Sequence, residues 1–139
     1  MFIYEGGAMT YYDRINQIHK AIDWRDKVDN WGKDLGIKTF NPMKTYLKEK
    51  PHTYDPKIFV DQNIYYLNKC DVMLVNLDDI DKSPGTQFEL CYFGLLKKPI
   101  VSFGEKYWSP HVNYFISQHL NTLDDALELL MVEFDQGNM

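Results

Sequence analysis

The sequence predicts an α/β fold in which helices cover an open, mostly parallel sheet. Short apolar runs alternate with longer amphipathic segments along the 139 residues, as they do in strand–helix–strand units. One run, VMLVNL at residues 72–77, is apolar almost throughout, which is typical of a central parallel strand covered on both faces. The length fits one domain spanning residues 1–139.

Four short apolar runs have the length and boundaries of buried strands. The first is followed by Gly6-Gly7 and the second by Asn41-Pro42, which are residue pairs that favour turns. In chain order, the predicted strands are residues 1–4, 37–40, 72–77 and 99–103.

Four longer segments carry apolar residues at helical spacing. In chain order, the predicted helices are residues 11–35, 57–68, 85–97 and 122–134. The side chains expected to face the core from the first two are Ile15, Ile18, Ile22, Val28, Ile58, Ile64 and Leu67. Gly36 is expected to end the first helix, and Thr122 to cap the last one. Residues 43–56, with three prolines when Pro42 is counted, are predicted to form a loop.

Charge and cysteine content argue against several functional classes. The net charge is −5 and no cationic stripe is present, so binding of polymeric nucleic acid is not expected. No apolar stretch approaches the roughly 20 residues of a membrane span. Cys70 and Cys91 are too few for a disulfide framework or a zinc site, and we expect buried free thiols in a cytoplasmic protein.

Polar and aromatic residues concentrate in the loops that follow the predicted strands. Because ligands of open parallel sheets bind outside the carboxyl ends of the strands, these loops form the expected binding edge. They are residues 5–12, 41–56, 76–84 and 104–113. In the first loop, Gly6 and Gly7 would let a ligand approach the backbone closely, although a plain tight turn also explains the pair.

The stretch SPGTQFELCYFG at residues 83–94 supports two interpretations of Glu89. Thr86 and Glu89 have the spacing of a capping box, in which a Thr N-cap pairs with a Glu at the third helical position. In that case Glu89 only accepts a hydrogen bond from a backbone amide. Alternatively, a carboxylate near a helix N-terminus at the binding edge is held ionised by the helix dipole and serves as a nucleophile.

Two other loops at this edge also support a structural and a functional interpretation. Asp78, Asp79 and Asp81 follow the central strand, and without a paired His they indicate a solvated acidic turn more than a metal site. In YWSPHVNYF, at residues 107–115, His111 would need a partner to act as a general base. We expect neither a metal nor an organic cofactor.

Taken together, the loops resemble those of the nucleoside 2-deoxyribosyltransferase family. FIYEGGAM is similar to that family's opening strand and glycine loop, and CDVMLVNLDD to its central strand. SPGTQFELCYFGLLKKPIV is similar to its Gly-Thr-x-aromatic-Glu-Leu-Gly helix start, and VNYF to its late asparagine signature. The resemblance spans nearly the whole chain and is weakest over residues 43–60. It implies a five-stranded, Rossmann-like sheet with a flavodoxin-like strand order.

The resemblance assigns roles to individual residues. Glu89 falls on the family's nucleophile, and Tyr4 falls on a tyrosine that orients this carboxylate by a hydrogen bond. Asn113 falls on an asparagine that reaches a neighbouring subunit's site, which implies a homo-oligomer with shared sites. The substrate-binding positions that follow from the resemblance are Gly6, Gly7, Asn63, Asp78, Ser83, Gly85 and Asn113.

Two positions depart from the transferase pattern. Asn63 stands where many relatives have an acidic residue, and Ser83 stands where transferases commonly have an Asp that binds or protonates the base. A serine there resembles the related 2′-deoxynucleoside 5′-monophosphate N-hydrolases, which use it to hold phosphate. Asn113 resembles the transferases, so the signature is mixed.

The expected activity is base exchange on 2′-deoxynucleosides through a covalent glutamyl–sugar intermediate. N-glycosidic cleavage builds positive charge on the sugar, which an ionised Glu89 would stabilise and trap as an ester. Asp78, Asp79 and Asp81 are candidates to assist the departing base. The aromatic residues that would wall the base and exclude water are Tyr11, Tyr12, Tyr107 and Trp108. The alternatives are a hydrolase of deoxynucleoside monophosphates and a non-catalytic nucleotide-binding module. The expected partners are a nucleoside or nucleotide and a free base.

Overall fold

A five-stranded parallel sheet forms the centre of the protein. The computed structural model describes residues 1–48 and 55–134. All neighbouring strands run parallel, in the spatial order β2-β1-β3-β4-β5. The strands are β1 (Phe2–Gly6), β2 (Lys38–Phe40), β3 (Val72–Asn76), β4 (Ile100–Phe103) and β5 (Gln118–Leu120). The α/β fold and the flavodoxin-like strand order are therefore confirmed.

Helices cover both faces of this sheet. They are α1 (Thr10–Arg14), α2 (His19–Leu35), α3 (Pro42–Lys48), α4 (Pro56–Lys69), α5 (Pro84–Leu95), α6 (Pro110–Phe115) and α7 (Leu123–Leu129). A short 3₁₀ turn, Ile80–Lys82, precedes α5, and a π-helical turn, Leu130–Phe134, follows α7. No helix in the described ranges is both long and apolar enough to cross a membrane.

The central strand β3 has a core on each side, as its apolar run predicts. Because successive side chains point to opposite faces, Met73 and Val75 pack against α4, α5 and α6. Val72 and Leu74 pack against α2 and α7 on the other face. All four side chains are essentially inaccessible to solvent, so the sheet fixes the positions of the loops that follow it.

The predicted helix over residues 11–35 is wrong as a single element. The chain breaks between α1 and α2, where Asn16 adopts a left-handed conformation with φ 58°. Ile15 is accordingly 38% exposed and does not share the buried face of α2. Gly36, with φ 71°, ends α2 as predicted, because a left-handed residue interrupts helical hydrogen bonding.

Other differences concern short or exposed elements. Part of the predicted loop at residues 43–56 is helix α3, begun by Asn41, whose Oδ1 accepts from the Met43 amide at 2.9 Å. Residues 49–54 of that prediction lie outside the described residues. The apolar pattern also missed α6 and β5. Ile58, expected to face inward, is 60% exposed. Thr122 caps α7 as predicted, accepting from the Asp125 amide at 3.2 Å.

The strand order determines where a ligand can bind. β1 lies between β2 and β3, so the connections leaving β1 and β3 diverge to opposite sides of the sheet. A crevice opens at such a switch point, beyond the carboxyl ends of the two strands. The turn after β1, residues 7–9, is called the glycine loop below; it and the segment before α5 border this crevice.

Candidate active site

A cavity of about 340 Å³ occupies the crevice. Its walls come from the glycine loop, α1, α4 and the N-terminal turns of α5. The residues that bear on its chemistry are Gly7, Arg14, Asn63, Lys82, Ser83 and Glu89. Glu89 is the one carboxylate among the described lining residues, alongside two cations, Arg14 and Lys82.

Glu89 points from α5 towards β1. Its Oε2 accepts a hydrogen bond from the Tyr4 hydroxyl at 2.7 Å. Tyr4 is fully buried in β1, where its ring lies 5.3 Å from that of Phe40, so packing fixes the donor. The pair joins residues 85 positions apart in sequence, and in the described ranges no backbone amide donates to Glu89.

The surroundings give Glu89 a pKa suited to chemistry at neutral pH. Burial is the largest influence and raises the pKa to about 7, while the Tyr4 hydroxyl, the charge of Arg25 and the Asn63 side chain oppose it. Burial and the nearby carboxylate raise the pKa of Tyr4 well above its ordinary value, so its hydroxyl remains a donor. About half of the Glu89 carboxyl groups are therefore ionised at neutral pH.

The capping-box interpretation of Glu89 is wrong. Helix α5 begins at Pro84 with Ser83 as its N-cap, because the fixed φ of proline suits the first helical position. Thr86 is then the third helical residue and Glu89 the sixth. The Ser83 hydroxyl lies 2.6 Å from the Thr86 hydroxyl, and no side chain caps the helix. Glu89 is thus available to the cavity.

Several predicted binding residues converge on this cavity. Gly7, Asn63, Ser83 and Gly85 all line it together with Glu89. Asn63 is only 3% exposed, and its Oδ1 has no hydrogen-bond partner in the described part of the chain. A buried acceptor of this kind ordinarily has a partner, so a ligand that donates a hydrogen bond would satisfy it.

Three predicted binding residues lie elsewhere. Gly6 ends β1, where a Cβ would lie 2.7 Å from Met73 Cε, so its small size serves packing. Asp78 lines a separate groove and accepts from the Glu105 amide at 2.8 Å. Asn113 borders a third groove, and its amide donates to the Tyr107 carbonyl at 2.6 Å.

The acidic loop after β3 does not enter the cavity. Asp79 accepts from the Tyr12 hydroxyl at 2.6 Å, and neither it nor Asp78 or Asp81 lines the cavity. Within residues 1–48 and 55–134, no three His, Cys, Asp or Glu side chains are grouped to hold a metal ion.

The aromatic lining also differs from the expectation. Of the four predicted aromatic residues, Tyr11 lines the cavity, and Tyr12, Tyr107 and Trp108 do not. The other aromatic lining residues are Phe59 and Phe88. Sequence reasoning also missed Arg14 and Lys82, since isolated cations carry no spacing signal.

The family model for nucleoside 2-deoxyribosyltransferases matches residues 12–122, about four-fifths of the chain. The chain belongs to the nucleoside 2-deoxyribosyltransferase family. The match covers Asn63, Ser83 and Glu89 and begins after Tyr4. The Tyr4–Glu89 hydrogen bond therefore connects a residue outside the matched segment to one within it.

Solved structures share the fold of this family member. A 2-deoxyribosyltransferase from Bacillus psychrosaccharolyticus has a TM-score of 0.71 at 17% identity, over 99% of this chain and 95% of that chain. A conserved protein from Enterococcus faecalis has a TM-score of 0.72 at 13% identity, over 92% of this chain and 95% of that chain. At these identities the likeness is one of fold. No significant match was found among curated proteins.

Proposed function

We propose that the protein cleaves the N-glycosidic bond of 2′-deoxynucleosides and transfers the 2-deoxyribosyl group to another base. Glu89 is the nucleophile in this proposal. The observation that supports it best is the 2.7 Å hydrogen bond from Tyr4, which holds a carboxylate at the wall of the cavity. The family of the chain gives the reaction class.

The reaction needs few protein groups. The ionised Glu89 attacks the anomeric carbon, the bond to the base nitrogen breaks, and the electron pair leaves with the base. A second base then attacks the same carbon and releases the Glu89 carboxylate. The Tyr4 hydroxyl keeps the carboxylate oriented in both steps, and the buried Asn63 accepts a hydrogen bond from the substrate.

Substitution of the nucleophile tests this function. We expect Glu89→Ala to abolish base exchange between a 2′-deoxynucleoside and a free base. Chromatography of the nucleoside products measures this exchange. Mass spectrometry of acid-quenched wild type should detect a deoxyribosyl adduct that Glu89→Ala lacks. Glu105→Ala removes an exposed glutamate outside the cavity and serves as the matched control. A folded Glu89→Ala protein with wild-type activity would refute the proposal.

A second candidate is hydrolysis of 2′-deoxynucleoside 5′-monophosphates. Arg14 and Lys82 give the cavity positive charge in a protein of net charge −5. The Lys82 ammonium nitrogen lies 3.7 Å from a carboxylate oxygen of Asp79 and 3.8 Å from one of Asp81, so both ion pairs are long. Arg14 forms no ion pair with any described residue. With the Ser83 hydroxyl and the N-terminus of α5, these groups suit a phosphate.

Product analysis separates the two candidates. The protein is incubated with dAMP, dCMP, dGMP and dTMP, with and without a free acceptor base. Release of base from a monophosphate without acceptor, weakened by Ser83→Ala, supports the hydrolase. A new nucleoside that forms only with acceptor supports the transferase. Tight binding without turnover in either assay would instead support a non-catalytic nucleotide-binding module.

We also propose a homo-oligomer in which Asn113 serves a neighbouring subunit's site. Asn113 lies outside the cavity of its own chain, and nearby helices expose Phe88, Leu95 and Tyr114, which are 52%, 70% and 82% accessible. If sites are shared, mixing inactive Asn113→Ala and Glu89→Ala proteins should restore some activity. Light scattering that gives only monomer mass would refute this proposal.

We further propose a cytoplasmic location. The chain has two cysteines, Cys70 and Cys91, and both are free thiols. Free thiols persist in a reducing compartment.

A further inference from the structure

Arg25 is a charged side chain that α2 carries into the protein interior. It is 0% exposed, and its guanidinium donates to the Ala21 carbonyl at 2.8 Å and to the Gly7 carbonyl at 3.0 Å. Its centre lies 4.6 Å from the ring centroid of Trp24. In the described part of the chain, Nε has no partner and no carboxylate forms an ion pair with the group. Because burying an unpaired cation is costly, more distant negative charge must compensate it.

Two carboxyl groups on the same side of the sheet supply only part of that charge. Glu5 of β1 is 0% exposed, and burial together with Asp29 raises the pKa of Glu5 to about 11. Glu5 is therefore neutral at physiological pH, and neither of its carboxyl oxygens has a hydrogen-bond partner among the described residues. The Asp29 carboxylate accepts from Thr39 at 2.7 Å and Asn41 at 2.9 Å, and Lys44 lies 3.3 Å away. The one negative charge of these two carboxyl groups therefore lies on Asp29, where the three groups just named already stabilise it.

The guanidinium also contacts the floor of the cavity. Gly7, whose carbonyl it holds, lines the cavity beside Glu89. A Cβ on Gly7 would lie 3.1 Å from the Trp24 ring and 3.4 Å from the Arg25 guanidinium, so these groups are closely packed. The positive charge of Arg25 lowers the pKa of Glu89 against the effect of burial. Arg25 therefore acts on the site without lining it.

We propose that Arg25 is a positioning residue for the reaction at Glu89: it holds the glycine loop in place and keeps a fixed positive charge behind the carboxylate. This inference rests on the proposed role of Glu89. The charge stabilises both the attacking carboxylate and the one released at the end of the reaction. The other titratable groups that contact Glu89 or share its cavity are Tyr4 from β1, Tyr11 and Arg14 from α1, and Lys82 before α5.

The test compares the pH dependence of kcat/KM in wild type, Arg25→Met, Arg25→Gln and Arg25→Lys. In the neutral variants we expect the acid limb to move to higher pH by at least about half a unit. This shift lowers kcat/KM on the acidic side about threefold. Arg25→Lys retains the charge and should keep the limb in place. We expect a lower kcat, because the shorter lysine lacks the two guanidinium nitrogens that hold the Ala21 and Gly7 carbonyls separately. Lys33→Met removes an exposed positive charge from the last turn of α2 and should match wild type.

The outcomes distinguish this inference from the proposed function. An acid limb that coincides with wild type in a folded neutral variant overturns the role of Arg25. Failure of both neutral variants to fold, with wild-type kcat in Arg25→Lys, also overturns it, because Arg25 would then serve stability alone. A fully active Glu89→Ala protein would reject the proposed function itself, whatever the Arg25 variants do.

Discussion

Replacing Glu89 with Gln should stabilise the folded protein at neutral and alkaline pH while abolishing base exchange. Burial raises the pKa of the Glu89 carboxyl from its ordinary 4.5 to about 7. Between these values the folded protein holds a proton that the unfolded chain has released, so the free energy of unfolding falls as pH rises through this range. The glutamine amide does not titrate, and its oxygen still accepts the hydrogen bond from Tyr4.

The size of this effect follows from the pKa difference. The difference between about 7 and 4.5 corresponds to roughly 3 kcal/mol, at about 1.4 kcal/mol per pH unit. Because Glu89 is only half-buried and lines an open cavity, water screens part of this energy. We therefore expect the advantage of Glu89→Gln over wild type to grow by about 1–3 kcal/mol between acid and alkaline pH.

Urea unfolding followed by circular dichroism, from about pH 5 to about pH 9, measures this difference. The stability advantage of Glu89→Gln should grow up to about pH 8 and then remain level. Glu105→Gln, which changes an exposed carboxylate, should show no such trend. An advantage that is constant across the range, or that grows towards acid pH, would refute the assignment of a raised pKa to Glu89.

Three further predictions concern catalysis and packing. The kcat/KM of the wild type should show an acid limb with an apparent pKa of about 7, and a limb near 4.5 would contradict the burial argument. Tyr4→Phe removes the hydroxyl 2.7 Å from Glu89 and should lower kcat/KM at neutral pH by roughly 10- to 100-fold, because a hydrogen bond to a charged group contributes about 1.5–3 kcal/mol; steady-state kinetics test this. Gly94→Ala should destabilise the protein by about 1–3 kcal/mol in urea unfolding, since a Cβ there would overlap Phe115. Gly85→Ala in the same helix meets nothing within 4 Å and should be neutral or slightly stabilising.

The sequence predicts the sheet well where strands are buried on both faces. β3 is apolar throughout because helices cover both of its sides, so its pattern is visible in one short window. β5 has only three residues, Gln118–Leu120, which are exposed or half-buried, so no apolar run marks it. The break at Asn16 was hidden because isoleucines on both sides continue the helical spacing while the backbone turns left-handed.

The site was predictable where its residues are close in sequence. Ser83 and Glu89 belong to one recognisable segment, and both line the cavity. Arg25 was not predictable, because a charged residue in an amphipathic helix is ordinarily on the surface. Its burial depends on Gly7, 18 positions away, and its effect on Glu89 acts across 64 positions. Such pairings exist only once the sheet has formed.

The start of α5 decides how the charge on Glu89 is stabilised. Had Thr86 been the N-cap, the carboxylate would lie in the first turn, where amides and the helix dipole would hold it ionised. Since the helix begins at Pro84, Glu89 lies beyond the first turn, and the dipole effect falls off over that distance. The groups that lower the pKa of Glu89 against the effect of burial are therefore Tyr4, Arg25 and the Asn63 side chain. These groups hold the pKa at about 7, so at neutral pH the carboxyl is ionised often enough to attack the sugar.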